Sequence, residues 1–475
     1  MEHLTPWKIA EITNGKYVGS ETARNGRVSG AARDNREVKP GNIFVCIKGE
    51  HNDGHLFANE AFDAGAVCCL AEKPPAGAKG PYILVESTLS AVKELGAYYR
   101  SLFSIPVIGV TGSVGKTSTK EMTAAALGAR LNVLKTPANF NNELGVPLTL
   151  LALEETHEAA VIEMGISDFG EMGRLAAMAR PGICITTNIG YSHLKELGDL
   201  KGVLRAKSEV FAYMKPEDCA ILNGDDINLR GFDPGIRKIT YGLEPGNDYL
   251  ARNVRSKGTA AVICEIAHGA GSFEANIPAF GSHLAYAALA AAAAAQLLGL
   301  TDEEIARGIL DYVPAEGRAN VIDTGFVTLI DDSYNANPDS MRAALLSLSM
   351  LQGRRVAILG DMLNLGKESG ELHRDVGRLA FECGIDVLLC CGEEAALIAE
   401  GYEAAQGATQ GDGSLVLSWD NTREPSPCVA ALPSILQKGD NVLVKASHSM
   451  KFDEIASAIR EQDRGTVLLS LWEIC

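Results

Sequence analysis

Gly109-Val110-Thr111-Gly112-Ser113-Val114-Gly115-Lys116-Thr117-Ser118 follows the apolar run Ile105 to Ile108 and reads as strand, glycine-rich turn and helix. A turn of this kind lets backbone N–H groups face an anion, while a lysine adds a point charge and a threonine offers its hydroxyl to a phosphate-bound Mg²⁺. The stretch predicts a nucleotide-phosphate cradle for ATP or GTP, with Gly112, Ser113, Gly115, Lys116, Thr117 and Ser118 as its contacts. The strict spacing has a glycine six residues before the lysine, and Val110 stands there instead. The loop is therefore a variant form. Its plainer alternative is a glycine-rich strand-helix turn with a surface lysine.

The rest of the chain limits what such a loop can serve. A length of 475 residues with 46% hydrophobic residues predicts about three domains, each with its own core. The net charge of -17 opposes general attraction to nucleic acid or an anionic membrane, so anionic ligands need local sites. The eleven cysteines contain no Cys-x-x-Cys pair, and Cys68-Cys69 and Cys390-Cys391 sit in apolar, strand-like runs. They read as buried free thiols. Met1 to Ala10 lacks the basic and apolar blocks of a signal peptide, which makes the cytoplasm the expected compartment. Leu284 to Leu300 is mostly alanine, interrupted by Tyr286 and Gln296, and reads as a buried helix rather than a membrane span.

Hydrophobic patterning divides the chain into residues 1–87, 88–314 and 315–475. The first part alternates short strands and turns, including 42–47 and 66–71, as a small α/β domain does. The second opens with the phosphate loop and continues through apolar runs at 159–162, 183–187 and 220–222, separated by helical segments. That rhythm predicts a parallel sheet covered on both faces. Asp311 to Pro314 reads as a linker. Beyond it, strand candidates at 327–330, 355–359, 386–389 and 441–444 alternate with helices in a doubly wound, Rossmann-like manner. The Gly407 to Gly413 patch reads as a loop.

Three further residues invite chemistry. Glu163 ends the run Ala159 to Ile162, at the strand end that faces the ligand crevice of an open parallel sheet, where it can hold Mg²⁺. His193 follows the run Ile185-Thr186-Thr187, and Lys207 lies in Arg205-Ala206-Lys207-Ser208-Glu209. Singly, His193 also reads as a surface-loop histidine and Lys207 as a solvated helix lysine.

Taken together these residues resemble the Mur ligase family of ATP-dependent amide ligases, across all three parts of the chain. The resemblance rests on the loop 111–117, Lys120-Glu121-Met122, the block Asn139 to Pro147, Glu163-Met164-Gly165, and the His193 and Lys207 segments. It continues through Gly317-Arg318, the block Asp331 to Met341, Gly360-Asp361-Met362 with Leu365-Gly366, and His373. Val38 to Val45, Lys48-Gly49-Glu50 and Asp53-Gly54-His55 resemble the uridine-nucleotide domain of the branch that adds D-alanyl-D-alanine to UDP-N-acetylmuramoyl-tripeptide.

The implied fold is α/β in three domains: a small N-terminal UDP-binding domain, a central phosphate-loop ATPase domain with a parallel sheet, and a C-terminal Rossmann-like domain. The implied partners are UDP-N-acetylmuramoyl-tripeptide and D-alanyl-D-alanine, with ATP and Mg²⁺ as cofactors and a monomer as the working form. In this scheme the acceptor carboxylate attacks the γ-phosphate of ATP to give an acyl phosphate, which the dipeptide amine then attacks. The resemblance gives Lys116 the β- and γ-phosphates, and gives Mg²⁺ to Thr117, Glu163, His193 and Lys207. An ammonium beside Mg²⁺ repels it, and the family's answer is a carbamate on Lys207. Arg318 is implied as a γ-phosphate contact made on domain closure, and Asn335 and Asp331 as nucleotide and hinge contacts. Asn335 and Asp331 also read as part of a turn before a capped helix near Pro338.

The chain departs from the family pattern at Leu284 and Ala287, where asparagines are usual, and at Ala446 and His448, where glycine and arginine are usual. Asp420-Asn421-Thr422-Arg423 resembles the Asp-Asn-Pro-Arg box of diaminopimelate-adding relatives without its proline, and reads as chance. The competing readings are another Mur-type or folylpolyglutamate-type amide ligase, a phosphate-loop kinase or GTPase, and a nucleotide-binding regulator without turnover.

Overall fold

Three β-sheets succeed one another along the chain without exchanging strands. The computed structural model describes residues 1, 4–49, 52–408, 414–419 and 426–461; Glu50, residues 409–413 of the glycine-rich patch and the Asp420 to Arg423 box lie outside them.

The first sheet contains β1 (Lys16–Val18), β2 (Gly30–Ala32), β3 (Asn42–Val45), β4 (Cys68–Ala71) and β5 (Tyr82–Leu84), in the order β1-β5-β4-β3-β2. Only β1 runs antiparallel to its neighbour. Alternation along the strands sends Phe44 and Cys69 to a small cluster under helix Ala58–Asp63. It sends Ile43, Val45, Cys68 and Leu70 to the opposite face, where they join the core of the central body through helix Thr88–Ser101. All ten described cysteines are free and buried.

The second sheet holds β6 (Val107–Thr111), β7 (Val133–Lys135), β8 (Ala159–Glu163), β9 (Ile183–Thr186), β10 (Cys219–Asn223), β11 (Arg237–Gly242), β12 (Tyr249–Ser256), β13 (Val262–His268) and β14 (Gly271–Ile277). Its order is β14-β13-β12-β11-β10-β9-β6-β8-β7, parallel from β7 through β12. The sheet is not purely parallel as the patterning suggests, because β12, β13 and β14 form an antiparallel meander. In β12 and β14 exposed residues interrupt the buried ones, so these two strands lack the continuous apolar runs of strands covered on both faces, while β13 keeps Val262, Ile263 and Cys264 buried in succession. The alanine-rich helix Leu284–Leu297 is buried between this sheet and helix Lys116–Gly128. Its small side chains permit that close approach. Among the described residues no helix is long and apolar enough to cross a membrane.

The third sheet contains β15 (Asn320–Asp323), β16 (Thr328–Asp331), β17 (Arg355–Gly360), β18 (Val387–Cys391), β19 (Leu415–Trp419) and β20 (Asn441–Lys445), ordered β15-β16-β20-β17-β18-β19. The pairing is parallel except for the β15–β16 hairpin. On one face, helices Ser369–Glu382 and Ala395–Gly407 cross at two glycines. A Cβ on Gly377 would lie 1.9 Å from the Ile398 carbonyl oxygen, and one on Gly401 would lie 2.2 Å from the Arg374 oxygen. Backbone cannot yield as a flexible side chain does. Gly377→Ala is therefore expected to destabilise the protein by about 2 kcal/mol or more, read as a lower midpoint of urea unfolding at an unchanged slope.

The carboxyl ends of β6, β8 and β9 in the second sheet and of β16 and β20 in the third open toward one another. In doubly wound sheets this is where ligands bind.

Candidate active site in the interdomain cleft

The phosphate-loop sequence forms the element it predicts: β6 ends at Thr111, and helix Lys116–Gly128 starts directly after Gly115. Gly112 has φ +140°, and a Cβ there would lie 1.9 Å from Thr187 Oγ1. Gly115 caps the helix at φ +79° with open space where a side chain would stand. These two positions require glycine, one for contact and one for backbone conformation.

The loop is sewn to the segment after β9. Ser113 N–H donates to the Asn188 carbonyl (3.1 Å), Val114 N–H donates to Asn188 Oδ1 (2.8 Å), and the Ser113 hydroxyl both donates to Gly190 O (3.0 Å) and accepts from Gly190 N–H (2.9 Å). The first-turn N–H groups of the helix are the ones left to meet an anion. The Lys116 ammonium donates to the carbonyls of Gly112 (2.8 Å) and Ser113 (3.2 Å). Burial lowers its pKa, opposed by Glu163 and reinforced by Arg318.

Glu163, at the end of β8, is 1% exposed. Its Oε1 accepts from Asn141 Nδ2 (2.8 Å) and Thr117 Oγ1 (3.3 Å), and its N–H donates to Thr136 Oγ1 (2.9 Å). Its Oε2 is buried with no hydrogen-bond partner, a costly state for a carboxylate oxygen. Lys207 is 3% exposed and makes no hydrogen bond or ion pair among the described residues. Burial, then the charge of Lys116, pushes its pKa well below 10.5.

His193 takes the left-handed conformation (φ +52°) at the start of a short helix. Burial, then Lys207 and Lys116, lowers its pKa. Thr117, Glu163, His193 and Lys207, the predicted metal residues, all line one cavity. Glu163 is the one acid of the set, and among the described residues no group of three or more His, Cys, Asp or Glu forms a ready metal cage. A divalent cation fits the unpaired Glu163 oxygen beside the Thr117 hydroxyl, and an anion on Lys207 would complete the charge.

A cavity of about 1230 Å³ joins this centre to both other bodies. Ile47, Lys48 and Glu72 of the first body line it, as do Ser113 to Ser118, Glu163, His193 and Lys207 of the second and Arg318, Asn335, Lys445 and His448 of the third. Arg318 is set between Gly317 (φ +65°) and Ala319 (φ +53°). Its guanidinium lies 4.1 Å from the centroid of the Tyr334 ring. Asn335 lines the cavity, and its carbonyl accepts from Lys445 Nζ at 2.9 Å.

Asp331 is placed differently. Its carboxylate accepts from Ser333 and pairs with Arg460 at 2.5 Å, and it does not line the cavity. Asp332 lines the cavity instead, paired with Lys445 at 2.5 Å. The turn before Pro338 is also a helix start, with Asn337 and Ser340 forming a reciprocal cap on Pro338–Ser349.

The sequence reading assigned no role to Asn188, Thr136 or Lys445, and no local pattern marks them. Leu284 and Ala287 line the cavity beside Ala279 and Phe280 as an apolar wall. Buried Ala446 is matched by Gly360, where a Cβ would approach the Ala446 methyl to 2.7 Å. His448 is exposed, with its ring 5.0 Å from that of Tyr334.

Residues 110–295 match the Mur ligase middle domain and residues 317–448 match the Mur ligase glutamate ligase domain. The chain is 35% identical to the UDP-N-acetylmuramoyl-tripeptide--D-alanyl-D-alanine ligase of Bacillus subtilis (strain 168), over 95% of this chain and 97% of that protein. A crystal structure of MurF from Acinetobacter baumannii superposes with a TM-score of 0.83 at 29% identity, covering 96% of this chain and 98% of that one. The MurF ligase of Thermotoga maritima in complex with ADP gives a TM-score of 0.78 at 27% identity, covering 92% and 98%.

Proposed function

The chain belongs to the Mur ligase family, and from that premise we propose that it uses ATP to join D-alanyl-D-alanine to UDP-N-acetylmuramoyl-tripeptide. An amide does not form from a carboxylate and an amine in water, because the carboxylate oxygen leaves poorly. Attack of the tripeptide carboxylate on the γ-phosphate converts that oxygen into part of an acyl phosphate and releases ADP. The dipeptide amine then attacks the acyl carbon, phosphate departs with the C–O bond electrons, and the amine nitrogen loses a proton.

The chain's part is to position reactants and spread charge. First-turn N–H groups and Lys116 bind the β- and γ-phosphates, which requires Lys116 to exchange its loop carbonyls for phosphate oxygens. Arg318 approaches the transferring group from the third body. Walls from three bodies surround the place where the acyl phosphate would form. Thr117, Glu163, His193 and a carbamylated Lys207 would hold Mg²⁺, which would supply positive charge against the phosphoryl group.

The carbamate requires a neutral amine. The Lys207 nitrogen would attack CO₂: a C–N bond forms as one C=O π bond opens onto oxygen, and one proton leaves to solvent, giving a single negative charge shared by two oxygens. Burial and the neighbouring Lys116 favour that neutral amine.

The observation that carries this reading is that one cavity holds the phosphate loop, a buried Glu163 oxygen with no hydrogen-bond partner, and a buried Lys207 with no hydrogen bond or ion pair among the described residues. We assign domain limits of 1–87, 88–314 and 315–475. We further propose a monomer as the working form and the cytoplasm as its compartment. ADP release is expected only when both UDP-N-acetylmuramoyl-tripeptide and D-alanyl-D-alanine are present with ATP and Mg²⁺. A coupled assay showing release that ignores either substrate refutes the assignment.

A further inference from the structure

Tyr334 stands at a junction that the scheme above leaves without a role. Its ring carries the Arg318 guanidinium at 4.1 Å and packs against His448 at 5.0 Å between centroids. Its N–H donates to the Gly317 carbonyl at 3.1 Å, and a Cβ on Gly317 would sit 3.1 Å from its own. Asn139 of the central body lies at its hydroxyl. Ala319 keeps a left-handed backbone that alanine adopts only under constraint, with its N–H donating to Asp332 Oδ1 at 3.2 Å.

Arg318 itself makes no ion pair and no side-chain hydrogen bond among the described residues. A long, unpaired guanidinium at a cavity wall samples many rotamers, and a flat electron-rich face beneath it removes most of them before any anion arrives.

We propose that Tyr334 is a positioning residue for Arg318, its ring holding the guanidinium over the cavity beside the phosphate loop, with His448 packed against the ring as its second support. The inference rests on the ATP-dependent reading of that cavity. The ring acts on the arginine alone, so its contribution vanishes when the arginine is absent.

The test compares wild type, Tyr334→Phe, Tyr334→Leu, Arg318→Ala and the Leu–Ala double variant, by ADP release and by binding of AMPPNP and ADP. Tyr334→Leu is expected to lower kcat about tenfold and to weaken AMPPNP about tenfold while ADP affinity holds. Tyr334→Phe keeps the face and stays within about twofold of wild type. In the Arg318→Ala background the leucine adds nothing further. A leucine variant equal to wild type, or one whose cost is the same with and without Arg318, overturns the proposal.

Should the leucine variant fail to fold by circular dichroism, fluorinated phenylalanines at 334 keep the shape while draining the ring face. A stepwise loss of AMPPNP affinity with fluorine then supports the platform, and a flat series overturns it. A wild type that binds AMPPNP with this pattern but releases no ADP would fail the ligase reading and leave the positioning role standing.

Discussion

Lys207→Ala is expected to lower ADP release by about 10³-fold, and formate or acetate at high concentration is expected to restore part of it. The alanine removes a buried nitrogen that no described protein group pairs with, and leaves room for a small carboxylate where carbamate oxygens would have been. Assays with and without added bicarbonate separate this from a general packing loss. The wild type should gain activity with bicarbonate and the variant should not.

Stability should move the other way. An unfolded lysine titrates near 10.5, while burial holds the folded amine well below that value. The unfolded chain therefore binds more protons between the two values, so the penalty is absent above 10.5 and grows as pH falls to the folded pKa. In CO₂-free buffer near neutral pH, the alanine variant is expected to melt higher than wild type, with the gap closing toward pH 10.5. Full activity of the unsupplemented variant would refute the carbamate.

Glu163→Gln is expected to cost about 10² to 10³ in kcat/KM and to raise the Mg²⁺ concentration for half-maximal activity about tenfold. The substitution preserves volume and leaves an amide oxygen for the Asn141 and Thr117 bonds. What it removes is the charge whose second oxygen lies buried and unpaired. Metal-free protein should therefore lose little in melting temperature, since the cost of one unpaired buried carboxylate oxygen goes together with the attraction to Lys116. Titration with Mn²⁺, followed by water relaxation, reads metal affinity without turnover. Unchanged affinity there would remove Glu163 from the metal site.

These outcomes depend on features of unequal visibility in the sequence. The phosphate loop is chain-local: a strand, two obligatory glycines and a helix start within a few residues, so its fold and ligand class can be read directly. Strands buried on both faces, such as 159–163 and 441–445, announce themselves as apolar runs. Strands β12 and β14 do not, because exposed residues interrupt their buried ones.

Asp331 and Asp332 show the limit most clearly. Neighbouring residues at a strand end point to opposite sides, and nothing local tells which acid meets the cleft. That choice is made by Lys445 and Arg460, which pair with Asp332 and Asp331 respectively from 113 and 129 positions away. Thr136 under Glu163 and Asn188 over the loop are likewise set by tertiary folding, and a lone threonine or asparagine carries no pattern.

The contact between Gly360 and Ala446 also bears on how this sequence could drift. Room exists for one methyl where the end of β17 meets the residue after β20, and Ala446 fills it. A side chain arriving first at 360 meets both Ala446 and the Phe452 ring, where its Cβ would come within 2.5 Å, whereas glycine at 446 clears only the first obstacle. The order of substitutions therefore matters. A side chain at 360 needs room made first at both 446 and 452, whereas glycine at 446 introduces no clash of its own.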